Sequence, residues 1–279
     1  MTLTSFVSAQ GKPKPTPKPK VAVYKFSSCD GCQLSLLNLE DELLDLASAV
    51  DISYFLEATR TVKPGPYDVG IVEGSITTPH EAERIKEVRA ECKYLIALGT
   101  CATTGGIQAL RNFASADEYA KTVYPHPEYL QYLEKSTSIA ENVPVDNVIW
   151  GCPVNKYLVV EVLAALLQNR KPNFPPAPVC LECKKRGIVC VVVAQGIPCL
   201  GPAVHGNCGA LCPANGRGCY GCFGPSSASN FNALVESMVP RDRYPNETAN
   251  LLRSFSSHAP AFQAAAEYAL KLSAGKEAK

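Results

Sequence analysis

Short apolar runs and helically spaced leucines alternate along the first 170 residues of the chain. Residues 21–26 form a β-rich run that ends in the polar loop 27–31. Leu34, Leu37, Leu39, Leu43, Leu44 and Leu46 then recur at helical spacing and predict a helix. Residues 51–56 and 67–73 read as the second and third strands, and a charged helix is predicted from Pro79 to about Ala90. Residues 94–98 and 147–150 supply two further strands. A helix over 155–168 follows, with Val159, Val162, Leu163, Leu166 and Leu167 on its buried face. Strands that alternate with helices predict an α/β domain whose parallel sheet carries helices on both faces. Residues 112–144, with scattered aromatics and prolines, read as an insertion before the fifth strand.

The periodicity fails outside that stretch. Residues 11–20 alternate Pro with Lys and bury nothing, so residues 1–19 are expected to be a disordered, solvated leader. The sheet domain is expected over 20–170. Four prolines in residues 171–178 mark a boundary, since they cannot continue a helix. Residues 171–279 then form a second, smaller domain. Its first part, to about Pro225, is rich in Gly, Pro and Cys and is expected to take its order from covalent cross-links rather than from a core. The apolar run 189–194 within it reads as a strand or packed segment. Helical character returns after Asn230, with Leu251, Leu252, Phe255, Phe262, Tyr268 and Leu270 as apolar anchors.

Composition narrows the function classes. A net charge of +1 with 19% charged residues implies no nucleic-acid partner. No apolar run approaches the about 18 residues needed to span a bilayer. The first ten residues show neither a charged n-region nor a twin-Arg pair, so a cytoplasmic location is expected. Reduced thiols prevail there, which favours metal ligation over disulfides for the 13 cysteines.

Twelve of those 13 cysteines sort into groups of four, the ligand count of one zinc or iron–sulfur site. Cys29 and Cys32 follow the first predicted strand, Cys101 the fourth and Cys152 the fifth. Loops after parallel strands gather on one sheet edge, so these four converge without being close in sequence. The other eight are simplest read in order as Cys180, Cys183, Cys190 and Cys199 on one site and Cys208, Cys212, Cys219 and Cys222 on the other. Exchange of ligands between these two sites stays open, and so do zinc sites. Cys92 enters the fourth strand with no motif around it and reads as a buried structural cysteine. Glu73 and Thr100 are candidates for the surroundings of the first site, Thr100 as a hydrogen-bond donor. His205 lies in the cysteine-rich region and reads as non-ligating.

The motifs SSCDGCQLSLL (27–37), VEGSI (72–76), LGTCATTGGIQAL (98–110), GCPVNKY (151–157), CLGPAVHGNC (199–208) and CYGC (219–222) together resemble the small subunit of [NiFe]-hydrogenases. The resemblance runs from about Lys20 to Pro225. It implies a flavodoxin-like domain holding a proximal [4Fe-4S] cluster on Cys29, Cys32, Cys101 and Cys152. Many family members carry a His–Cys pair at the distal cluster and three cysteines at the medial one. Here Cys180 and Cys183 stand at the pair, and Cys212 adds a fourth medial thiol. Three [4Fe-4S] clusters are therefore expected, with Cys208, Cys212, Cys219 and Cys222 medial and Cys180, Cys183, Cys190 and Cys199 distal. These departures are similar to the cytoplasmic subgroup of sulfhydrogenases and NAD(P)- or F420-linked enzymes.

The resemblance implies an electron-transfer subunit that relays electrons for H2 oxidation or proton reduction. The nickel–iron site would lie on a separate large subunit. A diaphorase carrying flavin and NAD(P), or other iron–sulfur subunits, would complete the complex. Two other readings are a single-cluster quinone-reductase-type subunit of a respiratory complex and a zinc-stapled interaction protein.

Overall fold

The computed structural model describes residues 17–277 apart from 175–176, 243 and 245. Most of the expected leader lies outside the described residues, as do two prolines of the expected boundary. Five strands, β1 (Lys20–Lys25), β2 (Asp51–Phe55), β3 (Tyr67–Glu73), β4 (Cys92–Leu98) and β5 (Asn147–Ile149), form one sheet. Their order is β2-β1-β3-β4-β5, and every pairing is parallel. This is the doubly wound, flavodoxin-like order, whose switch point falls between β1 and β3. From Val69 in β3 and from Leu95 in β4 every residue is buried, which explains the apolar runs there, since a strand covered on both faces has no polar side.

The helices that cover the sheet are built from local signals. Thr78 and Glu81 close a capping box around Pro79 and start α3 (Pro79–Glu91). The first helical segment differs from its leucine spacing. It divides into α1 (Gly31–Leu37) and α2 (Asp41–Ala49), with Glu40 at φ 56 between them. The break turns Leu39 into the core at 0% exposure and leaves Leu44 outside at 71%. A continuous leucine repeat does not record such a turn. Next come α4 (Gly99–Thr104), a 3-10 turn over Ile107–Phe113, α5 (Ala116–Val123) and α6 (Lys156–Leu167). One core, containing Leu36, Ile71, Ile96 and Val159, lies on one face of the sheet, and a second, with Val72, Ile85 and Leu95, lies on the other. The expected insertion is bound to the second core by buried Ile139 and by an Ile76–Thr137 bridge.

Beyond Lys171 follow α7 (Val179–Lys185), α8 (Val191–Gln195), α9 (Leu211–Ala214), α10 (Phe231–Met238), α11 (Glu247–Leu252) and α12 (Pro260–Glu277). Two expectations change here. The apolar run 189–194 is not a strand: Gly196 at φ 68 closes a single helical turn, which buries Val191 and exposes Val193. The cysteine-rich segment also does not depend on cross-links alone. Its Leu200, Val204 and Phe223 share one core with Val235, Met238, Leu252 and Phe262 of the terminal helices. Among the described residues no helix is long and apolar enough to cross a membrane.

The chain leaving α6 is anchored by a fork. Both guanidinium nitrogens of Arg170 donate to Glu161, at 2.5 and 2.9 Å, and the Asn173 N–H donates to the same carboxylate at 2.7 Å. These donors, Arg170 first, hold the Glu161 carboxyl down at about 2 against an ordinary 4.5. A depressed acid contributes stability above its unfolded value and loses it as pH falls through the folded one. A titration of the Glu161 carbonyl carbon by NMR should therefore find its midpoint near 2, and Arg170→Met should return it toward 4.5. An unmoved midpoint in the variant would disprove the fork.

Candidate functional site

The carboxyl edge of the sheet gathers the first four thiols. Cys29 lies in the loop after β1, and Cys32 occupies the first turn of α1. Cys101 sits within α4, directly after β4, and Cys152 follows β5. The thiols are near enough to oppose one another's ionisation: Cys32 feels Cys101 and Cys152, Cys101 feels Cys152 and Cys29, and Cys152 feels Cys29. Close approach needs a bare backbone at Gly99, which sits at φ 82. A side chain there would collide with Cys32 Sγ.

Glu73 ends β3 beneath this group at 2% exposure. Its carboxylate accepts from the Cys32 N–H at 2.9 Å and from Gln33 Nε2 at 2.7 Å, which fixes the first turn of α1. Burial raises the Glu73 carboxyl above its usual range, against the two bonds that favour the charged form. Gln108 performs a similar service that the residue pattern alone did not reveal, although it lies within the TTGGIQ stretch. Its Nε2 donates to Ser27 O at 2.7 Å and its Oε1 accepts from Cys101 Sγ at 3.4 Å, joining two thiol-bearing loops.

Thr100, a candidate donor beside Cys101, reaches across to the second region. Its buried hydroxyl donates to the carbonyl of Cys222 at 2.5 Å, and its N–H goes to Gly151 O at 2.9 Å. It therefore ties the sheet edge to the cysteine-rich segment.

The remaining eight thiols act on one another both within the two expected sets and across them. Cys180 feels Cys199, Cys183 and Cys190, in that order. Cys222 feels Cys208 first, then Cys152 and Cys212, while Cys219 feels Cys199 ahead of Cys222 and Cys208. A cavity of about 540 Å³ opens beside the latter group, lined by Cys208, Cys212, Cys219 and Cys222 and by Cys152 of the first group. The three groups touch in series. The Cys152 backbone lies close enough to Cys222 to favour its thiolate. The Cys219 N–H donates to Cys199 Sγ at 3.2 Å, and Gly201 N–H joins it at 3.4 Å.

Burial pushes most of these thiols up. Cys101, Cys180 and Cys208 rise to about 11 and Cys222 to about 12, and Cys32 and Cys219 rise too, desolvation being the largest cause for each. A buried thiol ionises readily only when a cation supplies the missing solvation, so the donor set suits a bound metal centre. Among the described residues no three Cys, His, Asp or Glu side chains converge tightly enough to share one ion. An iron–sulfur cube, being larger, spreads its four thiolates wider, and the grouping by fours with N–H donors aimed at sulfur fits it. His205 stands apart: its ring lies beside Trp150, with centroids 6.1 Å apart, and hydrogen-bonds the Pro225 backbone. Cys92 is buried in β4, away from all three groups.

Comparison with known proteins agrees with this arrangement. The family described as NADH ubiquinone oxidoreductase, 20 Kd subunit, matches residues 29–166. Sulfhydrogenase 2 subunit delta of Pyrococcus furiosus is 38% identical over 238 residues, covering 85% of this chain and 99% of the relative. A subunit of the vhu F420-non-reducing hydrogenase of Methanocaldococcus jannaschii is 34% identical, covering 75% and 83%. Among solved structures, a NAD+-reducing [NiFe]-hydrogenase in the H2-reduced state superposes with TM-score 0.53 at 27% identity, covering 57% of this chain and 96% of that one. A Ni-Fe-Se hydrogenase from Desulfomicrobium baculatum shares the fold, with TM-score 0.53 at 16% identity over 76% of this chain and 96% of that one.

The tie from Thr100 is directly testable. Thr100→Val keeps the volume and removes the donor, leaving a buried carbonyl without its partner. It should cost about 1–3 kcal/mol of stability, read as a lower midpoint of unfolding in denaturant. An unchanged midpoint would show that the tie carries no stability.

Proposed function

The chain belongs to the family of [NiFe]-hydrogenase small subunits that includes sulfhydrogenase delta and its F420-non-reducing hydrogenase counterparts, and from that membership we propose that it relays electrons through three [4Fe-4S] clusters. The observation that carries the proposal is the serial contact of three four-thiol groups. In this reading Cys29, Cys32, Cys101 and Cys152 hold the proximal cluster. Cys208, Cys212, Cys219 and Cys222 hold the medial one, and Cys180, Cys183, Cys190 and Cys199 the distal one. Residues 20–170 and 171–279 act as the two domains of the relay. Bound there, the clusters would supply one-electron transfer.

The chain's own residues do the rest. Glu73 and Gln108 fix the thiol-bearing loops at the sheet edge. Burial excludes water from Cys32, Cys199 and Cys219. The Cys152 backbone and the Cys219 N–H bridge one group to the next and stabilise charge on the facing sulfur. At one end the exposed Cys29 faces outward, where a large subunit with the nickel–iron site would dock. At the other, exposed Cys190 lies among exposed Val189, Val193, Lys184 and Lys185, a surface suited to a redox partner such as a diaphorase or another iron–sulfur subunit. The assembly works in the cytoplasm.

The quinone-reductase-type reading accounts for less of the chain. That family's match ends at residue 166, before the first of the eight later cysteines. Metal analysis separates the readings. About twelve irons and twelve acid-labile sulfides per chain support the relay, about four irons the single-cluster subunit, and stoichiometric zinc the stapled interaction protein. Cys32→Ser should also sharply reduce H2-driven dye reduction by the assembled complex while the spectra of the outer two centres persist. Undiminished dye reduction would remove Cys32 from the relay.

A further inference from the structure

Glu182 is the only carboxylate between Val179 and Cys222, a stretch that holds four basic residues, Lys184, Lys185, Arg186 and Arg217. It lies between Cys180 and Cys183 on α7, yet its side chain leaves its own thiol group. One oxygen accepts from the Asn207 N–H at 2.7 Å, and the other accepts from the Ala210 N–H at 3.1 Å. That second oxygen is also 3.7 Å from Cys208 Sγ. The loop it grips is wound left-handed, with Asn207 at φ 77, Gly209 at φ 70 and Ala210 at φ 51. Successive residues of this kind turn their N–H groups inward as an anion nest. Arg186, just past the end of α7, donates to the carbonyl of Gly209 from the same side.

We propose that Glu182 is a positioning residue that locks the Cys180–Cys183 helix to the Cys208 loop and lowers the reduction potential of the centre held by Cys208, Cys212, Cys219 and Cys222. The inference rests on the relay reading given above. Two effects act in the same direction. A carboxylate 3.7 Å from a ligating sulfur opposes the arrival of an electron. In addition, the carboxylate holds the Ala210 N–H at 3.1 Å, two residues from Cys208, and so occupies a donor that could otherwise stabilise the reduced centre. Removing the charge ends the repulsion and weakens the hold on that donor, and both changes raise the potential. Glu182 also borders Cys183, where its field is a lesser influence, so the distal centre should follow by less.

The test is a redox titration, followed by electron paramagnetic resonance, of the full chain in its native complex. Glu182→Gln keeps the shape and one acceptor but loses the charge. With iron and sulfide content unchanged, it should shift the reduction equilibrium of the medial centre about tenfold toward the reduced form, 59 mV for one electron. A medial potential unmoved in a fully loaded variant would overturn the inference and leave the relay intact. If the wild-type chain holds zinc or only about four irons, the relay reading itself fails, whatever the variant does. Should Glu182→Gln not assemble its medial centre, Glu182→Asp decides. The shorter side chain draws the charge back from the sulfur, so an assembled centre reduced at least twofold more readily than wild type supports the tuning, whereas an unmoved potential or failure of both variants reduces Glu182 to a structural tether and overturns it.

Discussion

Desolvation of sulfur is the constraint on which this chain is organised. A thiol buried among apolar side chains resists ionisation, and here burial is the largest cause raising Cys32, Cys101, Cys180, Cys208, Cys219 and Cys222. The arrangement is economical only if each set of four meets a compact cationic core, which turns the unfavourable burial of thiolate into a strong bond. Backbone N–H groups then complete the solvation that water would have given. They cluster where glycines and left-handed residues let the chain turn its donors inward.

The sheet solves a second difficulty, which is bringing Cys32, Cys101 and Cys152 together from three separate parts of the chain. Parallel strands end on one edge, so one register places β1, β3, β4 and β5 side by side with their following loops in a row. Glu73 occupies the end of the central strand and converts that edge into a fixed frame for α1. The later cysteines have no sheet. They use the apolar face of the terminal helices as their floor and the first region as a wall, through Thr100 and the Cys152 backbone.

Much of this was legible in the order of residues. Strands β3 and β4 announce themselves because both of their faces are covered, and the placement of cysteines just after strand ends identifies the edge where they meet. The family motifs add the ligand sets. What escaped was whatever depends on contacts between distant loops. Leucine spacing continued through Glu40, where a backbone turn divides the helix. The valines at 189–194 looked like interior chain, but Gly196 and the neighbouring thiols leave Val193 facing outward. Thr100 was noticed for its neighbour Cys101, while its partner lay more than a hundred residues away. Glu182 gave no signal at all, since its meaning depends on how residues 207–210 coil.

The two contacts in series, Cys152 to Cys222 and Cys219 to Cys199, bear on how such a protein ages and assembles. At each junction the backbone belongs to one four-thiol group and the sulfur to the next. In the proposed relay no centre is then an independent module. Oxidative loss of one would withdraw a backbone donor from the sulfur of its neighbour, so the neighbour would stay in place with an altered potential. Maturation would carry the mirror image of this, each filled site preparing the geometry of the adjacent one. A partly loaded chain would then keep its remaining centres, and their shifted potentials would record which neighbour is missing.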